Sequence, residues 1–350
     1  MDARYFSKKI VKWYKENLRN LPWRTTRDPY RIWLSEIILQ QTRVSQGLPY
    51  YERFVAKYPT VRDLAQAPEQ EVLRLWQGLG YYTRARNLHR CAQNVCTDFN
   101  GVFPDNFEGL RKLPGIGDYT AAAIASIAHQ EPVAVVDGNV YRVLARAFGI
   151  PTPINSTAGK KEFFELANRV LDKTAPDIHN QAMMEFGALH CTPKSPACDT
   201  CVLQTSCEAY RSDLQESLPV KTTTKKSRKR YFYYLVFQQG KALALRKRDQ
   251  KDIWHGLYDF ALIEKDRPAK IDTIAKEPLG RLLLKKKKAI LSDDYKHILT
   301  HQTIHAQFIV VPVAAGFQPP ENFSFYSPAQ IAELPKPVLI SRFLQDHDLL

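Results

Sequence analysis

The chain has 350 residues, 44% of them apolar, which is enough for about two domains with cores of their own and excludes a fold that depends on covalent staples. Lysine and arginine total 50 against 36 acidic residues, a formal charge of +14, which favours nucleic acid over an anionic membrane surface as the polyanionic partner and disfavours an acidic small molecule. The charged first twenty residues lack a long apolar core or a small-residue cleavage site, and no 18-residue apolar run follows, so a soluble, cytoplasmic monomer without membrane contact is expected.

Residues 1–212 read as consecutive amphipathic helices with short polar connections, an all-α domain. In "RDPYRIWLSEIILQQ", Asp28 is a natural N-cap and Pro29 fits the first turn, where its missing N–H has no partner, so a helix is expected near 30–41. Glu36 on that helix has Ile32, Trp33, Leu39 and Gln40 as its three- and four-residue neighbours, a largely apolar face that can raise a carboxyl pKa, although a surface glutamate is the better reading from these residues alone. Cys91 and Cys96, five apart on a predicted helix, read as buried core thiols.

In "LPGIGDYTAAA", residues 113–123, the proline and Gly115 can turn the chain tightly between two helices, because glycine reaches positive φ without steric cost. Gly117 then leaves the next helix N-terminus uncovered, where backbone N–H groups and the helix dipole favour a phosphate. Asp137 follows the apolar run "PVAVV" and precedes Gly138 and Asn139, which suits an N-cap before a helix over 139–148; the same N–H groups favour its ionised form. Cys191, Cys198, Cys201 and Cys207 follow the spacing C-x6-C-x2-C-x5-C. In a reducing compartment such clustering points to metal. Four thiolates suit zinc or an iron–sulfur cluster, and the single close pair favours the cluster, since zinc ribbons usually bring two.

Residues 213–230 read as a basic linker: "PVKTTTKKSRKR" has no apolar residue after Val220 and suits a solvated tether, with a DNA-following arm or localisation signal as the alternative. In "RYFYYLVFQQGKALALRKR" two β-rich runs flank Gln239 and Gly240, a hairpin signature. Further strands are expected in "YKHILTHQTIHAQFIVVPVA" and helices near 270–283 and 328–346, making residues 231–350 an α+β domain. His297, His301 and His305 recur every four residues, a metal face on a helix, but the β-rich surroundings favour strand. "LLLKKKK", residues 282–288, reads as a solvated basic loop or helix end.

Taken in order, "LPWR", "WLSEIILQQTRV", "GLGYYTRARNL", "LPGIGDYTA", "VDGNVYRVLAR" and "NQAMMEFGALHCTPKSPAC" resemble the helix–hairpin–helix, endonuclease III superfamily of DNA glycosylases, and within it the MutY-type adenine DNA glycosylases. The resemblance covers nearly all of residues 1–212. It implies a [4Fe–4S] cluster on the four cysteines, and a monofunctional enzyme of base excision repair that acts on double-stranded DNA and removes adenine mispaired with 8-oxoguanine or guanine. It implies that Glu36 protonates the purine, that Asp137 stabilises the cationic sugar ionically or through a covalent adduct, and that Tyr119 and Asn139 support the pair. Arg24 is matched to the active-site region, and Gln41, Thr42, Leu79 and Tyr81 to positions that wedge into the duplex or contact the opposite base. Bifunctional members carry a lysine two residues after the second glycine; here Tyr119 stands there, and a phenol cannot form an imine.

Residues 231–350 resemble the MutT-like, Nudix-fold domain that these enzymes use to recognise 8-oxoguanine. No G-x5-E-x7-R-E-type helix follows "WHGLYDF", so recognition without hydrolysis is the expectation. Where many relatives have Phe-Ser-His, this chain has Leu299, Thr300 and His301, which keeps a hydroxyl and a ring for DNA and loses the aromatic wedge. Two rivals remain: an endonuclease III-like oxidised-pyrimidine glycosylase and lyase, disfavoured by Tyr119 and the extra domain, and a non-catalytic iron–sulfur DNA-binding protein, disfavoured by Glu36 together with Asp137.

Overall fold

The computed structural model describes residues 1–222, 228–249, 252–281, 290–299 and 301–350. They form two compact units, Met1–Gln66 with Asn87–Thr223, and Ala67–Arg86 with Thr224–Leu350.

The first unit is helical: α1 (Ala3–Asn17), α2 (Pro29–Leu39), α3 (Val44–Lys57), α4 (Val61–Gln66), then the part of α6 (Thr83–Asp98) beyond Arg86, α7 (Phe107–Arg111), α8 (Asp118–His129), α9 (Gly138–Phe148), α10 (Thr157–Val170), α11 (Pro176–Leu189) and the single turn α12 (Glu208–Arg211). The Asp28 side chain accepts the Tyr30 N–H at 2.9 Å, so α2 starts where its cap and proline place it. Tyr30 and every residue from Ile32 to Ile38 are buried, which makes α2 a central helix rather than an amphipathic surface one and takes Glu36 inside with it. It packs on α8, an alanine-rich helix buried from Thr120 to Ile127, whose small side chains permit close approach. In turn α8 meets α11, and α11 meets α1 and α9.

The extended stretch before α9 is held by Asn180 of α11. Its carboxamide accepts the Val135 N–H at 3.0 Å and donates to the Val133 carbonyl and to Ser126 Oγ at 2.9 Å each. Buried backbone groups in a non-helical stretch need such partners, and satisfying them fixes where Asp137 emerges. Cys91 is fully buried and Cys96 half-buried.

In the second unit β1 (Arg228–Gln239) runs through the middle of a mixed sheet, antiparallel to β2 (Ala242–Lys247) and β4 (Ala261–Lys265) and parallel to β7 (Gln302–Pro312). The expected hairpin is present: Gln239 pairs with Ala242 across Gly240, which has φ +59°. Short strands β3 (Tyr258–Asp259) and β8 (Ser324–Tyr326) pair with β2, and β5 (Ile290–Leu291) and β6 (Tyr295–Ile298) with β7. The helices are α13 (Ile271–Ala275), α14 (Pro328–Glu333) and α15 (Val338–Asp346). The single helix expected over 328–346 is thus two, because Pro335 and Pro337 disfavour helical backbone in the residues before them.

One reading needs correction. Arg228–Arg230 open β1 instead of closing a linker: Arg230 is 6% exposed, its guanidinium matched by Asp252 and Glu264 at 2.6 Å each. Ala67–Arg86, helical in part as expected, groups by proximity with the C-terminal residues. Here α5 (Glu69–Leu75) and its flanks bond outward: Gln70 to the Tyr258 hydroxyl at 2.9 Å, Arg74 to the Ala332 carbonyl and Glu333 at 2.7 Å, and Arg86 to the His255 carbonyl at 2.5 Å. His297 lies in β6 beside Trp254, and His305 in β7 stacks on Tyr231 at 5.1 Å. Among the described residues no His, Cys, Asp and Glu group is placed to hold a single metal ion, and no helix is long and apolar enough to cross a membrane. "LLLKKKK" and Thr300 lie outside the described residues.

Candidate active site

Glu36, Tyr119, Asp137 and Asn139, drawn from α2, α8 and the start of α9, line one cavity of about 200 Å³ in the first unit. Glu36 is 8% exposed, and burial lifts its pKa from 4.5 to about 7; the Tyr119 hydrogen bond and Arg24 pull the other way, and the Asp137 charge pushes it further up. Tyr119 donates its phenolic hydrogen to Glu36 Oε2, and its own pKa is pushed well above 10 by burial and by the two carboxyls, so it stays a neutral donor. With Oε2 accepting that bond, Oε1 is the oxygen left to carry a proton.

Asp137 caps α9: Oδ1 accepts the N–H groups of Asn139 and Val140 at 2.9 and 2.8 Å, and Oδ2 accepts Asn139 Nδ2 at 2.8 Å. Burial raises its pKa, against the expectation of a simply ionised cap, while these bonds and Arg142 pull it back toward the anion. The Asn139 amide is oriented by its far side, because Arg142 Nη2 donates to Asn139 Oδ1 at 2.8 Å and an arginine can only donate. Gly187 makes room for this arrangement: a Cβ there would lie 2.6 Å from the Asn139 Cβ.

Arg24, in the turn Pro22–Arg24, lines the same cavity, as do Arg19, Gln181, Met184 and Glu185, which the sequence reading did not single out. Glu185 is 1% exposed and bonds both guanidiniums, Arg19 at 2.5 and 2.8 Å and Arg24 at 2.6 and 2.8 Å. Burial pushes its carboxyl up, but those charge-assisted bonds outweigh it and hold the pKa at about 2. Glu185 sits in the quoted "NQAMMEFGALH", yet nothing local marks it as the partner of residues 161 and 166 positions away.

Of the residues matched to DNA contact, Gly115 has φ +76° and a Cβ there would lie 2.7 Å from that of Asn87, so both conformation and space call for glycine. Gly117 caps α8 with no side-chain hydrogen bond, and a Cβ added there meets nothing within 4 Å, leaving the helix N-terminus open. Gln41 is exposed with φ +54° just after α2, and Thr42 lines the Glu36 cavity. In the second unit Leu79 is 6% exposed, the placement of a packed residue, whereas Tyr81 is 43% exposed. Tyr81 and His301 line a separate cavity of about 200 Å³ with Arg86, Trp254 and Leu299.

Cys191 follows the end of α11, and Cys198, Cys201 and Cys207 lie in or beside two short 3-10 turns, with no disulfide among them. The fold already presents donors to sulfur: Arg146 Nη1 reaches Cys191 Sγ at 3.5 Å and the Leu203 N–H reaches Cys201 Sγ at 3.4 Å, contacts that favour a metal-bound thiolate. Arg142 and Arg146 of α9 also bond the carbonyls of Cys191, Thr192 and Pro193 at 2.7–3.1 Å, tying the cysteine segment to the helix that begins at Asp137. The donor set fits a cluster with one thiolate per iron. Cys207→Ser is expected to lower iron and acid-labile sulfide per chain to less than about half, while Cys96→Ser leaves both unchanged.

Residues 34–170 match the HhH-GPD superfamily of base excision DNA repair proteins, residues 191–207 the iron–sulfur binding domain of endonuclease III, and residues 232–346 a NUDIX domain. An adenine DNA glycosylase of Buchnera aphidicola (subsp. Schizaphis graminum) is 33% identical over 91% of this chain and 89% of its own. The chain belongs to the adenine DNA glycosylases. The human adenine DNA glycosylase is 42% identical over 61% of this chain and 41% of that protein. Among solved structures, a thermostable thymine-DNA glycosylase superposes with a TM-score of 0.56 at 32% identity, over 60% of this chain and 97% of that one. A trapped endonuclease III–DNA intermediate, at 24% identity and a TM-score of 0.53, shares the fold. As an adenine DNA glycosylase the protein is a DNA-binding repair enzyme with an iron–sulfur binding domain for a [4Fe–4S] cluster, which Cys191, Cys198, Cys201 and Cys207 would hold. A cluster bound there would crosslink the 191–207 segment.

Proposed function

We propose that the protein removes adenine mispaired with 8-oxoguanine or guanine in duplex DNA, leaving an abasic site without efficient strand cleavage. The observation that carries this reading is the shared cavity, in which one carboxyl is held near pKa 7 and the other accepts three hydrogen bonds. Adenine is a poor leaving group as an anion, so cleavage needs a proton on the base and a counter-charge beneath the sugar. Glu36 Oε1 delivers the proton to a ring nitrogen of the purine as the N-glycosidic bond breaks. Asp137, aligned by Asn139 and the α9 N-terminus, stabilises the oxocarbenium-like sugar until water adds. Tyr119 keeps Glu36 in place and supplies no amine, so no Schiff base forms with the sugar. The Glu185 pair with Arg24 lines the same cavity.

The partner base is inferred from the second unit. The sequence of its NUDIX match has no G-x5-E-x7-R-E run after "WHGLYDF", and Tyr81 and His301 share a cavity there, which supports reading of a lesion without hydrolysis. A duplex with a single A:8-oxoguanine pair tests the whole reading when strands are resolved before and after alkali. Breakage only after alkali is expected. Breakage without alkali would favour a lyase, and no adenine release would favour an idle binder.

The pH dependence of stability follows from the same carboxyl. Its folded pKa lies above the ordinary value, so folding gains from it most in acid and loses that gain as pH rises from 4.5 to about 7. The full difference is about 3 kcal/mol. Glu36→Gln should therefore melt several degrees above the parent at pH 8 and close to it at pH 4.5, in calorimetric scans at both pH values.

A further inference from the structure

Between α5 and α6 the backbone is left-handed at three of four consecutive residues: Gly78 at φ +103°, Gly80 at +72° and Tyr81 at +49°. Glycine takes such angles freely, but a tyrosine does so against a steric penalty, and it persists only where its surroundings impose it. The surroundings are visible. Arg84 lies over two rings, 5.0 Å from the Trp76 centroid and 5.7 Å from that of Tyr81. From Nη2 it donates to the carbonyls of Leu79 and Gly80 at 3.3 Å each. The Gly80 carbonyl also accepts Trp76 Nε1 at 3.0 Å, and Trp76 is fully buried, so the turn is fastened to the core at its base. Tyr81, at the tip, is exposed on the rim of the cavity that His301 lines.

We infer that Arg84 is a positioning residue for Tyr81: in contact with both rings and bonded to two carbonyls of the turn, its guanidinium holds the Gly78–Tyr81 turn in the backbone form that presents the Tyr81 ring to the duplex. The inference rests on the proposed reading of Tyr81 as a DNA contact. Holding the ring in its bound conformation beforehand removes an ordering cost from lesion binding, so the benefit appears as affinity for the lesion. Lysine cannot replace arginine here, because an ammonium has no plane to lie over the two rings while its nitrogen bonds the carbonyls of the turn.

The test uses the full chain with its cluster, as Arg84→Lys, Arg84→Met, Tyr81→Ala and the Tyr81→Ala/Arg84→Lys double variant. Dissociation constants are measured for a duplex holding 8-oxoguanine opposite a non-cleavable adenine analogue and for the undamaged duplex. Arg84→Lys is expected to bind the lesion duplex about tenfold more weakly while binding undamaged DNA within about twofold of the parent. Arg84→Met should lose at least as much, and the double variant no more than Tyr81→Ala alone. Parental lesion affinity in Arg84→Lys, or losses that multiply in the double variant, would overturn the inference and leave the reading of Tyr81 standing. Parental affinity in Tyr81→Ala would overturn both. If Arg84→Lys and Arg84→Met both fail to fold, Arg84 belongs to the core and the inference is likewise wrong.

Discussion

Glu36→Gln is expected to slow single-turnover adenine release by about 10²–10⁴-fold, the range for loss of a positioned general acid. Glutamine keeps the shape and can still accept the Tyr119 hydrogen bond, so the cavity should survive, but it has no proton to give. Affinity for the lesion duplex should stay within about threefold of the parent, because the substituted group is already about half protonated at pH 7 and makes no phosphate contact. Taken with the gain in stability expected at pH 8, the substitution would exchange activity for stability at one buried atom. A burial that disfavours the charged form is what supplies a proton donor near neutrality. Release near the parental rate would remove Glu36 from the acid role.

Asp137→Asn separates the two duties of that residue. Asparagine caps helices as well as aspartate, so α9 should remain capped and the melting midpoint should fall by less than about 3 °C. What is lost is the negative charge facing the sugar. If that charge stabilises the cationic transition state, single-turnover release should drop by about 10²–10³-fold, comparable with removing one preorganised electrostatic group from an active site. A small kinetic loss with unchanged melting would make Asp137 a cap and nothing more. A large fall in melting would instead show that Arg142 and Asn139 need the carboxylate to hold the α9 terminus together.

Much of the site was legible from the chain because its parts are local. Asp28 and Pro29 start α2 within one turn of each other, Gly115 and Gly117 take up the conformation and the open space their lack of a side chain suggests, and Gly240 turns the hairpin. What stayed hidden depends on partners far away in sequence. Arg230 becomes a strand residue only because Asp252 and Glu264 neutralise it from 22 and 34 residues on. Ala67–Arg86 has a helical pattern like its neighbours, and its grouping with the C-terminal residues comes from hydrogen bonds to Tyr258, Ala332 and His255 that no periodicity encodes. The Glu185 pairing with Arg19 and Arg24 is equally non-local. For Asp137 the chain suggested a helix cap, correctly, but not that burial would oppose the charge the cap favours.

The proposed chemistry needs one protonated and one ionised carboxyl facing the same nucleotide, and the single-turnover rate of adenine release from an A:8-oxoguanine duplex between pH 5 and 9 tests it most directly. The predicted profile falls as pH rises through about 7, where Glu36 loses its proton, and that limb disappears in Glu36→Gln. A rate that stays level across this range, or climbs toward alkaline pH, would contradict it.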